Sequence, residues 1–180
     1  NARTTFLGYK FTINVFDDIS DGDVLNIFSR INTYTVKLNA QELRNAQFSG
    51  LFKQLVYKLA HKHNAFWVKN KILSESQIAR MNDAELVSEL IISVMDGIQQ
   101  TKSPLINKYY KDYDDAFDRR NELEKRFSEI LDLIAEILQN DLPTMQFKRA
   151  PVFYTLFVAL YDAQFGLPNS DKRRIKFNSK

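Results

Sequence analysis

Only five Gly and four Pro punctuate 180 residues. A β-sandwich or barrel must reverse its chain every ten residues or so, and average proteins carry roughly 12% of these two residues. Turn chemistry this sparse leaves a mainly α architecture, a bundle of about six to eight helices of ordinary length. The chain is long enough to bury roughly 70% of its unfolded surface, so it needs no covalent or metal staple. It has no Cys, which excludes disulfide frameworks and Cys-based zinc modules.

One segment runs against the helical reading. In Leu7 to Val15, LGYKFTINV, the residues Leu7, Tyr9, Phe11, Ile13 and Val15 alternate with Gly8, Lys10, Thr12 and Asn14. That period of two predicts a β-strand, and a lone strand needs a partner that this chain hardly supplies. Its exposed edge is an expected route to an oligomer.

From Asp21 onward the period is helical. Val24, Ile27, Phe28 and Ile31 form one stripe, with Ser20 or Asp21 as its cap. Thr33 to Leu38 reads as a loop. Asn39 followed by Glu42 is a capping-box start for a helix through Ala46, and Asn82 with Glu85 repeats that spacing before Leu86, Leu90, Ile91 and Val94. Between them, Leu51, Phe52, Leu55, Val56 and Leu59 form another apolar face, ended by His61 to Asn64. The longest helix is expected from about Asp112 to Gln139, and the last from Val152 to Gln164, with Gly166 at its C-cap. Leu51, Leu55, Leu90, Ile130 and Ile134 are expected in the core. A single domain over 1–171 is expected, with a nine-residue basic tail after it.

Charge sharpens this picture. The net +3 is made by Lys172, Arg173, Arg174, Lys176 and Lys180; residues 1 to 171 hold 20 basic against 22 acidic groups. The body is therefore no basic nucleic-acid footprint, whereas Lys172, Arg173, Arg174 and Lys176 are candidates for phosphate contacts. The longest nearly apolar stretch, the twelve residues Ala150 to Tyr161, falls short of the ~20 that span a bilayer. No signal-peptide pattern opens the chain, so a cytoplasmic location without membrane contact is expected.

Most candidate sites have a bland reading that wins. His61 and His63, the only histidines, are two apart and face different sides of a helix, so no metal is expected there. Asp96-Gly97-Ile98-Gln99-Gln100 lacks the glycines and lysine of a phosphate loop and reads as a helix end. Asp112, Asp114, Asp115 and Asp118 read as solvated acids, and Tyr109, Tyr113 and Phe117 as a buried stripe. The exception is Phe28 to Ala46, which gathers Arg30, Asn32, Glu42, Arg44 and Asn45 about a short loop. Guanidinium forks and amides in that arrangement can grip a phosphate, and the same set can equally be an Arg–Glu pair closing a helix–loop–helix corner.

This stretch resembles the GmrSD-type restriction endonuclease N-terminal domain family, which is related to ParB-like nucleases and was formerly a domain of unknown function. The block FSRINTYTVKLNAQELRNAQFSGLFKQL is similar to a recurrent motif of that family, and Ile78 to Leu86, Ser88 to Leu90, Asp96-Gly97 and Phe147 to Pro151 resemble its helical continuation. The family's Asp-Gly-Gln-Gln-Arg signature is absent. The resemblance implies the helical C-terminal portion of a DNA-directed restriction or phage-defence protein, with the strand left over from a ParB-like α/β core. It implies DNA as a partner of the full-length protein, a nuclease domain or subunit beside it, and an NTP and a divalent metal as its cofactors. It places Arg30, Asn32 and Arg44 toward nucleotide or nucleic acid, with Glu42 orienting an arginine. For these residues themselves we expect no catalytic residue, no cofactor and no turnover; the competing expectation is a non-catalytic protein-interaction module.

Overall fold

The computed structural model describes residues 2–10, 13, 15, 17–20, 22–24, 27, 30 and 37–168. The backbone groups into two compact units, Asn1–Lys37 and Leu38–Lys180.

In the first unit, α1 spans Ala2–Leu7. Here the structure corrects the sequence reading. Leu7 is the last residue of a helix, Gly8 N–H closes its turn on the Thr4 carbonyl at 3.0 Å, and Tyr9, Lys10, Ile13 and Val15 lie in no strand. Phe11, Thr12 and Asn14 lie outside the described residues. The physical reason is supply: no second strand exists among the described residues to pair with it, and of this stretch only Gly8 and Tyr9 find helical-turn acceptors, Tyr9 N–H on the Phe6 carbonyl at 3.2 Å. Among the described residues there is no strand through which the expected oligomer contact could run. Ser20 does cap the following helical segment, its Oγ accepting from Asp23 N–H at 3.2 Å, and Gly22–Val24, Ile27 and Arg30 are helical. Phe28, Ile31, Asn32 and Thr33 to Val36 lie outside the described residues.

The second unit is mainly α. Its helices are α2 (Ala40–Gln47), α3 (Leu51–Lys62), α4 (Asn64–Lys69), α5 (Glu75–Ala79), α6 (Asn82–Asp96), α7 (Ser103–Asp112), α8 (Arg120–Leu138) and α9 (Ala150–Phe165), with two 3-10 turns, Leu142–Thr144 and Gln146–Lys148, before the last. Helix α6 is the hub: it packs against α3, α9, α5, α7 and α2. Its sequence explains this, since Val87, Leu90, Ile91, Ile92 and Val94 are apolar on all sides and essentially without exposure. Phe52, Leu55 and Leu59 of α3, Phe127, Ile130 and Ile134 of α8, and Phe153 and Phe157 of α9 complete the core. Leu51 packs on its edge.

Two helix boundaries differ from expectation, each for a local reason. Met81, with φ +60°, occupies the left-handed region and supplies the first carbonyl of α6, accepting from Glu85 N–H at 3.1 Å. Asn82 is thus the first helical residue rather than the cap, and Glu85 is released for other work. The long helix expected from about Asp112 to Gln139 begins only at Arg120, as α8, and Asp112 is instead the last residue of α7, because the Tyr113 and Asp114 carbonyls are taken by the N–H groups of Phe52 (3.0 Å) and Leu51 (2.8 Å). A carbonyl so engaged caps the start of α3 and cannot continue α7. The approach requires glycine at position 50, where a Cβ would fall 2.3 Å from Asp114 Cα and 1.9 Å from its Oδ1. Tyr109, Tyr113 and Phe117 still form one aromatic stack, at 5.7 and 4.8 Å between centroids, seated on Phe52. No helix of the described residues is long and apolar enough to cross a membrane.

Candidate functional site

The Asn39–Glu42 capping box forms as its spacing predicts. Glu42 N–H donates to Asn39 Oδ1 at 2.8 Å and Asn39 N–H donates to Glu42 Oε2 at 2.7 Å. The box fixes the direction of α2, and the rest of AQELRNAQ is distributed around it. Glu42 pairs with Arg80, which is not among the arginines gathered by sequence: Nε to Oε1 is 3.0 Å, while Asn39 Nδ2 donates to the Arg80 carbonyl at 2.6 Å. Asn45 is half-buried, and its carbonyl, with that of Phe48, accepts from Lys53 Nζ at 2.7 and 2.8 Å. That ammonium sits where the helix dipole is negative.

Arg44 points the other way, into the body, and is 1% exposed. Its Nε donates to Gln41 Oε1 at 2.7 Å, Nη1 to Ser103 Oγ at 3.0 Å and Asn107 Oδ1 at 3.2 Å, and Nη2 to Glu85 Oε1 at 3.1 Å. One planar fork thereby ties α2 to both α6 and α7. Gln41, wholly buried, passes the chain on through Nε2 to Tyr110 Oη at 2.7 Å. Ser88 Oγ already donates to the Ala84 carbonyl, so at 3.1 Å it accepts from the Tyr110 hydroxyl. Burial pushes the Tyr110 phenol up, and its bonds to Ser88 and Gln41 and the nearby Arg44 charge hold it back. Gln41, Arg44, Ser88 and Tyr110 form the buried part of the network, where satisfied polar groups are rigid rather than costly, and Ser103, Asn107 and Glu85 carry it to the surface.

Of the residues gathered by sequence, the structure brings Glu42, Arg44 and Asn45 onto one helix, where the side chains of Glu42 and Arg44 take different partners and Asn45 contributes its backbone carbonyl. Arg30 is exposed within the first unit, Asn32 lies outside the described residues, and so do Lys172, Arg173, Arg174 and Lys176. His61 is exposed, whereas His63 Nε2 lies 3.2 Å from Ser128 Oγ, beside Phe127. No group of acidic or histidine side chains able to hold a metal ion occurs among the described residues.

Next to this network, with Glu85 shared between the two, α6 opens onto a cavity of about 480 Å³ between α6, α9 and residues 98–101. Glu85 and Glu89, one turn apart, share its wall with Leu73, Leu86, Pro151 and Tyr154. Glu85 is bound from behind by Arg44. Glu89 has no ion pair among the described residues; burial raises its carboxyl to about 7, the Glu85 charge adds to this, and Arg44 and the Thr101 hydroxyl oppose it. Sequence reading missed both acids: it takes Glu85 for part of a cap and gives Glu89 no role of its own. The available signal was two carboxylates four apart flanking Ser88 inside a stripe otherwise apolar on all sides. No family model, curated protein or solved structure matches this chain.

Proposed function

We propose that this chain is the helical portion of a GmrSD-like restriction or phage-defence protein acting on foreign or modified DNA, with the NTPase and nuclease chemistry carried by other residues of the whole protein. The observation that carries the reading is the behaviour of the motif block itself. LNAQELRNA folds as a capped helix whose polar residues are committed inward and sideways, with Arg44 as the post that fixes α2 on the bundle. A recurrent block of this kind is a mounting, holding a helical body in a set orientation for a neighbouring catalytic core. DNA is the partner, approached in part by the basic tail.

Two measurements test this. Residues 1 to 180, given ATP or GTP with Mg²⁺ and plasmid DNA, are expected to show neither hydrolysis nor nicking; turnover by this chain overturns the reading. Fluorescence anisotropy with duplex DNA is expected to show binding that weakens steeply with salt and is lost on deleting 172–180. No binding at low salt, or binding indifferent to salt, counts equally against it. A non-catalytic interaction module is the second reading, favoured by Phe6, Leu7, Ile13 and Val15, whose exposures of 72 to 78% leave large apolar side chains in water. It predicts self-association or partner capture in light scattering without any DNA response.

A further inference from the structure

The cavity beside α6 has ligand dimensions. Its volume of about 480 Å³ lies within the range of roughly 300–1,000 Å³ typical of small-molecule sites, where an apolar lining is combined with a few polar groups. Leu73, Leu86, Pro151 and the Tyr154 ring supply the apolar part, and the charge is supplied by Glu85 and Glu89; neither Lys nor Arg lines it. The two carboxylates differ in state. Glu85 already has its counter-charge in Arg44, which lies behind it at 3.1 Å. Glu89 has only the Thr101 hydroxyl, and its surroundings resist its charge. An anion entering here would meet like charge in a half-buried setting, and a neutral apolar molecule would leave Glu89 further desolvated. A cation with an apolar body answers both walls at once, and a tyrosine ring adds to the attraction.

We propose that this cavity binds a small organic cation, an ammonium or amidinium carried on an aromatic or aliphatic body, with Glu89 as its counter-charge and Leu86, Pro151 and Tyr154 against its apolar part. The site is independent of any DNA-directed role of the chain. Charged groups acting on Glu89 are Glu85 on its own helix and Arg44 from α2, with Thr101 as hydrogen-bond partner. Glu89 titrates near 7 and must be ionised to attract the cation, so affinity rises with pH, by about tenfold between pH 6 and 8.

The test uses phenethylamine as the probe, followed by amide ¹H–¹⁵N shifts of the intact chain. Saturable shifts confined to residues 98–101 and 150–154 are expected, with phenethyl alcohol and hydrocinnamate at least tenfold weaker. Glu89→Gln, an isosteric change at a half-buried position that keeps the hydrogen-bonding shape of the protonated acid, is expected to lose about tenfold and to abolish the pH dependence. Equal binding of the alcohol, an unaltered affinity in Glu89→Gln, shifts centred elsewhere, or no saturation up to roughly 20 mM, weaker than a site of this size should bind, each overturns the proposal.

Discussion

Replacing Arg44 by alanine removes the post that fastens α2 to α6 and α7. Four hydrogen bonds are lost, and bonds to charged groups contribute about 1.5–3 kcal/mol each when removed singly. Their sum overstates the loss, because Ser103, Asn107 and the 38%-exposed Glu85 side chain can turn to water. Gln41, wholly buried, cannot, and an orphaned buried acceptor alone costs about 1–3 kcal/mol. Because Glu85 is partly exposed, breaking its pair with Arg44 falls short of the ~3–5 kcal/mol typical of a fully buried pair. We therefore expect a loss near 4 kcal/mol, or roughly 10 °C in Tm for a chain of this size. Arg44→Lys keeps the charge without the fork and should lose about half as much. Urea unfolding reports this directly through Trp67, the only tryptophan, which is fully buried against α3 with its Nε1 donating to the Ala60 carbonyl. A double-mutant cycle with Glu85→Ala should give a coupling of about 1 kcal/mol or more. A loss below about 1 kcal/mol in Arg44→Ala with an unchanged urea slope would refute the reasoning, and would return Arg44 to the set of residues able to face a ligand.

Two further perturbations test the packing and the cavity. Gly50→Ala forces a Cβ against the Asp114 backbone and should cost about 2 kcal/mol or more by urea midpoint, since overpacking of this kind typically costs about 1–3; a change within about 0.5 kcal/mol would show that the α3–Asp114 approach is looser than described. Glu89→Gln should change stability in a pH-dependent way. Folding raises this carboxyl from its ordinary 4.5 to about 7, so its contribution is fully present below pH 4.5 and is lost as pH rises through 7. Glutamine mimics the protonated acid at every pH. The variant should match the parent near pH 4.5 and exceed it at pH 8 by about 1 kcal/mol, after allowing for the solvent that reaches this group; thermal unfolding showing a constant or reversed difference would contradict that.

Much of the helical body was legible where a helix buries a single stripe, as α3 and α8 do. The spacing in Leu51 to Leu59 and in Leu123 to Ile134 identifies α3 and α8 without any tertiary information, and Asn39 with Glu42 announces its own cap. Gly166, with φ +79°, ends α9 where the sequence places its C-cap. The misreadings all involve a partner distant in sequence. The same Asn-x-x-Glu spacing that caps α2 fails at Asn82, because Met81 adopts a left-handed turn and Glu85 is drawn to Arg44. The stretch around Asp112 to Asp118 has no local helix breaker, and it breaks because α3 takes its carbonyls. Residues 7 to 15 carry a strand pattern that nothing among the described residues can pair. In the candidate site, residue types were readable but directions were not. Arg44 and Asn45 are neighbours in sequence, yet one is enclosed and the other is not, and only the packing of α2 decides which.

The borrowed cap on α3 also has a consequence for the order of events during synthesis. Leu51 and Phe52 donate to carbonyls about sixty residues further along the chain, so on a ribosome the first turn of this core helix must wait several seconds, at typical elongation rates of about 5–20 residues per second, for its acceptors to emerge. Until then its start can only fray, and the apolar face carrying Phe52 and Leu55 is left for a chaperone or for a neighbouring nascent chain. Assembly of the bundle therefore cannot proceed strictly from the N-terminus: the arrival of Tyr113 and Asp114 is the step that commits the early half of the body to its place.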